Sequence, residues 1–525
     1  MTMSSLALEV ARAHSSGRTF EHLNDLLLNA LRTYHDRTLL HSCDGRSFSG
    51  REIEGEIARY VAALKRQGVS FGRTVGLLSG NCIEVLFAQH AISIIGAIFT
   101  PFHPMGAPAD FAYILDDAAI DLVIVDKERE ADIVKAIDLS GRSPRLLTLG
   151  GGRDNDLFLL ASTEVDDQIE LLPIDPEAIV RIIYTGGTTG VPKATLASYR
   201  AMSTMFGIQI ADWQWPDTIR QLLVAPLSHV GAICFTPTIV GGGTLYVEKG
   251  FDPSRVLSVI QQHKITCILM VPTMISALMD HPGLRDFDIS SLETIFYGAS
   301  PITPTRLRAA IEHFGPIFFQ FYGQAEAMTT VMTMRREEHD LSSDLRLASC
   351  GRPVSEAEVC LVDADGNSVP DGEPGELCVR GPLLMSGYLG KPAETADALR
   401  GGWLHTGDVA VRDNDGFLRL VDRAKDMVIT GGFNVYPRAV EDVLEAHPGV
   451  ATACVFGVPN DHWGEVVVAA VVLRVDGTSA SELMAYVRER KGSVQTPKRV
   501  EIVDHIPLTA VGKPDKKKLR RMFSA

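Results

Sequence analysis

Short β-branched runs alternate with longer amphipathic stretches through most of this chain, and that alternation restricts the fold more than any other feature. When a helical crossover separates two strands, they pair in parallel, because the helix carries the chain back along the sheet face. "TVGLLS" (Thr74–Ser79), "LVIV" (Leu122–Val125), "VRIIYT" (Val180–Thr185), "QLLVAP" (Gln221–Pro226), "ITCILMV" (Ile265–Val271), "ETIFY" (Glu293–Tyr297) and "IFFQFY" (Ile317–Tyr322) read as strands. Patterns such as "REIEGEIARYVAALKRQG" lie between them, with apolar positions at helical spacing and a closing glycine. The pattern predicts an α/β fold: a large N-terminal domain of parallel-rich sheets with helices.

From about Ala357 the texture changes. "AEVCLVDADGNSVPDGEPGELCVRG" alternates by twos and is broken by Asp-Gly and Pro-Gly turns, which predicts a small antiparallel, β-barrel-like part. A second break falls at Asp422–Asp426. Beyond it, "RAVEDVLEAH" starts a helix just past Pro437, and "TACVFGV", "VVVAAVVLRV" and "SELMAYVRER" supply two strands and another helix. That suffices for a separate α+β unit of about a hundred residues. The expected division is an N-terminal domain over 1–422, a hinge over 423–426 and a C-terminal α+β domain over 427–525. There is no internal repeat.

A chain of 525 residues, 46% hydrophobic, can bury one large core and a smaller second one. Its formal charge of −15 repels phosphate backbones, so nucleic acid is not an expected partner. The basic run "KPDKKKLRR" reads as a solvated helix face. Eight scattered cysteines, with no CxxC pair, read as small buried hydrophobes in a reducing compartment. "MTMSSLALEVARAH" lacks the features of a signal peptide. "AISIIGAIFTPF" falls short of the roughly twenty apolar residues of a membrane span. A cytoplasmic location is expected.

In "IIYTGGTTGVPKAT" (Ile182–Thr195), a buried strand runs into three glycines and three threonines, then a lysine. Glycine backbone approaches anions closely, the hydroxyls add donors and Lys193 adds a charge, so the loop suits a polyphosphate. A plain Gly/Thr turn is the alternative. A nucleotide-hydrolysing P-loop is excluded, because Val191 and Pro192 separate Gly190 from Lys193.

The whole string resembles the phosphate-binding signature of the adenylate-forming superfamily, which contains acyl- and aryl-CoA synthetases, nonribosomal-peptide adenylation domains and firefly luciferase. Further segments match that family in order along nearly the full chain: "IGAIFTPFHP" (Ile95–Pro104), "APLSHVGAI" (Ala225–Ile233), "YGAS" (Tyr297–Ser300), "FYGQAEA" (Phe321–Ala327), "GWLHTGDVA" (Gly402–Ala410), "DRAKDMVITGGFNVYP" (Asp422–Pro437) and "PLTAVGKPDKKKL" (Pro507–Leu519). The chain is therefore identified as similar to the acyl-CoA or aryl-CoA synthetase branch.

The resemblance implies two steps on one site: a carboxylate attacks the α-phosphate of MgATP to give acyl-AMP and pyrophosphate, and the thiol of CoA then displaces AMP. Thr185, Gly186, Gly187, Thr188, Thr189, Gly190 and Lys193 are expected at the phosphates. Gly298, Ala299, Ser300, Tyr322, Gly323 and Gln324 are expected around adenine, where Tyr322 presents an aromatic face. Asp408 is expected to accept both ribose hydroxyls with Arg423 beside it, and Glu326 to ligate Mg2+. Lys513 is expected to bridge carboxylate and α-phosphate. Lys425 occupies the hinge position of a mobile C-terminal lid, and Gly431 and Gly432 leave room for pantetheine. Without the resemblance, Tyr322 reads as core, Asp408 and Arg423 as a surface ion pair, and the glycine pair as a turn.

Three positions depart from the family pattern: Ala325 stands where threonine is usual, Ala194 where glycine commonly follows the loop lysine, and Ala439 where glutamate is frequent. The first removes a hydroxyl, worth roughly 0.5–1.5 kcal/mol as a hydrogen bond. The expected acyl pocket comprises His229, Val230, Gly231, Ala232, Ala299, Gly323 and Met328. It holds no carboxylate for an α-ammonium group, and no arginine or lysine, which disfavours a second carboxylate deep in the pocket; an apolar (fatty) or aromatic monocarboxylic acid is expected. His229 either gates that pocket or sits satisfied in the core. The expected catalytic set is Lys513, Thr188, Glu326 and His229. The expected activity is that of an AMP-forming acid–CoA ligase using ATP, Mg2+ and CoA. A ligase loading a carrier protein, one using a nitrogen nucleophile, and a binder without turnover are the alternatives. Oligomeric state is not legible.

Overall fold

All seven expected strands form. They lie in a computed structural model that describes residues 23–165, 169–185, 192–423, 428–430, 433–460, 463–474, 477–509 and 514–524. One sheet has a parallel centre in which Thr74–Leu78 pairs with Ile98–Pro101 and Leu122–Asp126, flanked by Arg145–Leu149 on one side and Ile179–Thr185 on the other. The strand after the glycine-threonine loop breaks the parallel rule. Lys193–Ser198 runs antiparallel to Ile179–Thr185, so the loop joins two neighbouring strands rather than a strand and a helix.

A nine-stranded sheet is parallel through Thr38–Ser42, Thr244–Val247, Arg220–Leu223, Cys267–Met270, Thr294–Gly298 and Phe318–Tyr322, with antiparallel strands at both edges. The strand expected over Gln221–Pro226 ends at Leu223. Pro226 has no N–H to offer a ladder, and the Ala225 carbonyl instead accepts from the Asn81 side chain at 3.0 Å. Between the two sheets runs a continuous core containing Leu77, Phe99, Phe206, Phe235, Leu269 and Phe319. The helices Ile83–Ile95 and Tyr199–Asp212 bury residues on nearly every face, as expected of helices enclosed by protein. The helix Gly50–Arg66 is set by a capping box between Ser49 and Glu52.

The turn-rich segment folds as a four-stranded antiparallel sheet, Glu358–Val362, Pro374–Arg380, Leu404–Arg412 and Leu418–Arg423. The final unit has its own sheet. Val450–Asn460 and Gly464–Leu473 form its long hairpin, Arg499–Ile502 adds in parallel, and the helix Pro437–Glu445 begins on proline as expected. Its core of Val440, Leu444, Val455, Val467 and Leu483 is separate from that between the large sheets. All eight cysteines are free thiols. No described helix is long and apolar enough to cross a membrane.

Candidate active site

Among the described expected site residues, Gly298, Ala299, Ser300, Tyr322, Gly323 and Gln324 lie at the carboxyl ends of two parallel strands, where open α/β sheets bind ligands. Gly298 ends one strand and pairs in register with Phe321 of the next, so Ala299 and Ser300 lie beside Tyr322 and Gly323. These junctions have no room for side chains. A Cβ on Gly298 would lie 2.2 Å from the Phe321 carbonyl oxygen, and one on Gly323 would lie 2.1 Å from that of Thr329. Of five described non-glycine residues with positive φ, three are here: Ala299 (65°), Met328 (40°) and Thr329 (76°). Such strain persists where the surrounding structure over-determines it, commonly at ligand sites.

Two chains of contacts tie this edge together. In the first, the Tyr322 hydroxyl donates to Asp408 Oδ2 at 2.5 Å, joining the expected adenine and ribose residues. Asp408 is only 5% exposed. Its turn is braced from behind, because Glu376 accepts from the Gly407 N–H at 3.1 Å and pairs with His405 at 2.8 Å and Arg400 at 3.1 Å. Glu376, Cys378 and His405 are the one described cluster of metal-ligating types, and these contacts already occupy its carboxylate. Arg423 stands opposite Asp408 in the ladder, with its side chain outside the described atoms.

In the second chain, Lys193 Nζ lies 4.8 Å from the centre of the Tyr388 ring, and the Tyr388 hydroxyl donates to Glu326 Oε1 at 3.0 Å. Burial and the Glu326 carboxylate both push the Tyr388 phenol up, so it stays a donor. Glu326 is also fixed through its carbonyl, which accepts from the Met385 N–H at 2.9 Å. Oε2 has no partner among the described residues. A half-buried carboxylate with one oxygen oriented and one open fits a hard cation such as Mg2+. Gln324 adds a buried Nε2 donor without a partner, which suits an acceptor on a bound nucleotide.

The ends of the glycine-threonine loop are set by the register Thr185↔Lys193 and by Thr185 Oγ1 donating to the Lys193 carbonyl at 3.2 Å. Tyr113 and Tyr184 hold Asp117 at 3.2 and 2.7 Å, and the Tyr113 hydroxyl also reaches the Pro192 carbonyl at 3.3 Å. Gly186 to Gly190, with Thr188, lie outside the described residues, as do Lys425, Gly431, Gly432 and Lys513.

His229 follows the strand Arg220–Leu223. Burial pushes its pKa down to about 3, helped by His103 and Arg181, so it is neutral at physiological pH. Its Nδ1 shares a hydrogen bond with Ser228 Oγ at 2.8 Å, and its ring meets His103 edge to face at 4.7 Å. Gly231 turns so closely that a Cβ would lie 2.2 Å from the Ala225 carbonyl oxygen. Ala232 lines a cavity of about 70 Å³ behind this segment. Met328 is 2% exposed and packs in the main core.

Sequence reasoning missed Tyr388, Asn81, Gln89 and Arg181. Asn81, Gln89 and Arg181 hold the carbonyls of Ala225, Leu227 and Ser228 at 3.0, 3.0 and 2.7 Å. Tyr388 left a faint signal in "SGYLGKP", a glycine-flanked aromatic after the barrel-like segment.

The model of the AMP-binding enzyme family matches residues 27–389, and that of the AMP-binding enzyme C-terminal domain matches residues 439–513. The chain is 44% identical to the medium/long-chain-fatty-acid–CoA ligase FadD8 of Mycobacterium tuberculosis, over 96% of this chain and 91% of that one. It is 36% identical to a feruloyl-CoA synthase of Amycolatopsis, over 91% and 94%. Among solved structures, the amide bond synthetase McbA of Marinactinospora thermotolerans superposes with a TM-score of 0.85 at 32% identity, over 95% of this chain and all of that one.

Proposed function

The chain belongs to the AMP-binding enzyme family, and on that premise we propose that it is an ATP-dependent acid–CoA ligase. It activates an apolar or aromatic monocarboxylic acid as acyl-AMP, releases pyrophosphate, and passes the acyl group to CoA with release of AMP. Support for CoA as acceptor comes from the fatty-acid and feruloyl ligases that resemble it over nearly their whole length.

The observation that carries the reading is the 2.5 Å bond between Tyr322 and Asp408, set beside the Lys193, Tyr388 and Glu326 series. Asp408 is the carboxylate proposed to accept from the ribose, while Tyr322 would offer its ring to the base. Glu326 Oε2 would hold a magnesium ion, whose chemistry is to neutralise phosphate charge. Lys193 supplies a positive charge at the end of the phosphate loop. Phosphoryl chemistry of this kind asks the protein mainly for alignment and charge stabilisation. His229, neutral and buried, forms a wall rather than an ionic partner of the acid. We place a hinge at Lys425, within the division expected at 423–426, with Lys513 and the Gly431–Gly432 pair serving the first and second half-reactions in turn.

Acid-dependent exchange of labelled pyrophosphate into ATP tests the first step, and product analysis with CoA, a phosphopantetheinylated carrier or an amine tests the second. Exchange without acyl-CoA would move the assignment to a carrier-loading or amide-forming ligase. Absence of exchange with any fatty, benzoic or cinnamic acid would overturn it.

A further inference from the structure

The cavity behind His229 has an unusual wall. It is largely apolar, with Phe99, Met205, Phe206 and Ile233 among its lining, yet Arg181 and His90 also face it. Arg181 lies on the strand that ends at Thr185; the residue is half-buried, and its guanidinium Nε is shielded from solvent. Burial lowers its pKa to about 10, which leaves it charged at neutral pH. A shielded charge is normally paired. No carboxylate pairs with this one among the described residues; it has the face of Phe99 at 5.0 Å and the Ser228 carbonyl at 2.7 Å, and its Nε is buried without a partner.

Holding that carbonyl does not require a charge. The neighbouring carbonyls of Ala225 and Leu227 are held by the neutral amides of Asn81 and Gln89. A guanidinium brings five donors, of which the Ser228 contact uses one. His90, kept neutral by burial with a pKa of about 4, packs on Phe235 at 4.8 Å and has no hydrogen-bond partner among the described residues. Ala232 lines this cavity and also belongs to the expected acyl pocket, and Ile233 beside it lines the cavity too.

We infer that this cavity is the far end of the acyl pocket and that Arg181, with His90, recognises an acceptor oxygen on the acid remote from the carboxylate that is activated. The inference rests on the ligase reading above and narrows its substrate class to acids with a distal hydroxyl, carbonyl or carboxylate. A hydrogen-bonding site discriminates against an analogue lacking the oxygen, because its buried donors are then left unpaired.

The test compares kcat/KM for chain-matched alkyl, ω-hydroxy and ω-carboxy acids over medium and long chains, by pyrophosphate exchange. The native enzyme is expected to favour one of the oxygenated acids by roughly 10- to 100-fold, and preference between those two identifies a neutral or an anionic acceptor. Arg181→Met should bring the ratio of oxygenated to alkyl acid to about one, whatever its effect on the rate with the alkyl acid, with Arg181→Lys between. Equal use of all acids by the native enzyme overturns the inference but leaves the ligase assignment standing, and so does equal loss on every acid in Arg181→Met. Absence of exchange with every acid defeats the assignment and the inference together. Should Arg181→Met fail to fold, the ratio in the native enzyme decides alone.

Discussion

At the scale of single residues, the site turns on contacts between side chains far apart in sequence. Tyr388→Phe keeps the ring beneath Lys193 but deletes the donor to Glu326. The expected outcome is a loss of roughly 10-fold in pyrophosphate exchange, with a higher Mg2+ concentration needed for half-maximal rate. An unchanged Mg2+ dependence would show that Glu326 does not depend on that bond. Tyr322, Glu326 and Asp408 were legible because each sits in a segment whose neighbours also match. Tyr388 was not, because its importance comes from a contact 62 residues away that no local pattern encodes. Arg181 reads within "VRIIYT" as an ordinary strand residue; only the tertiary structure shows it lining a largely apolar cavity. From the segments around it the acyl pocket was expected to hold no arginine or lysine, and the role proposed for Arg181 would revise that expectation.

At the scale of elements, apolar runs long enough to fill a buried strand announced themselves, and their parallel order followed from the helices between them. Elements that exist chiefly through pairing did not. Gly387–Tyr388 has two residues and is a strand because it pairs with Lys193–Ser198, an element whose lysine and two alanines carry little strand signal. The glycines at strand ends are a stricter matter. Gly323→Ala forces its Cβ onto the Thr329 backbone, so the loop carrying Glu326 must shift, at a cost of roughly 1–3 kcal/mol. The expected result is a lower melting temperature together with a raised KM for ATP. Gly250→Ala, which meets nothing within 4 Å, is the matched control and should change neither. Equal behaviour of the two variants would remove the packing argument.

At the scale of the whole molecule, buried histidines set the acid limit. Burial lowers His229 to about 3 and His90 and His339 to about 4, from an ordinary 6.5. Each therefore binds a proton more weakly folded than unfolded. Stability contributed by the neutral rings is complete above about pH 6.5 and declines as pH falls toward 3–4, by up to about 1.4 kcal/mol per pH unit for each ring. Urea midpoints measured between pH 7 and pH 5 should fall, and His339→Gln should flatten that slope; an identical slope would refute the assignment. Two-step chemistry belongs to this scale too. Lys513→Ala is expected to lose 10²–10³ in adenylation, roughly, yet to convert supplied acyl-AMP to thioester at near the normal rate. Equal losses in both steps would withdraw the role proposed for Lys513. The division expected near Asp422–Asp426 rests on a change in texture, and residues 424–427 lie outside the described ones; Arg423 was expected beside Asp408, and the ladder pairs the two across a register shift between Val409 and Ala410 that no local pattern encodes. That pairing would give the proposed hinge a fulcrum. If the final unit turns about Lys425, the carboxylate proposed for the ribose and Arg423 at the end of the preceding sheet are crossbar neighbours, and a nucleotide tugging on one end of the bar would be felt beside the axle.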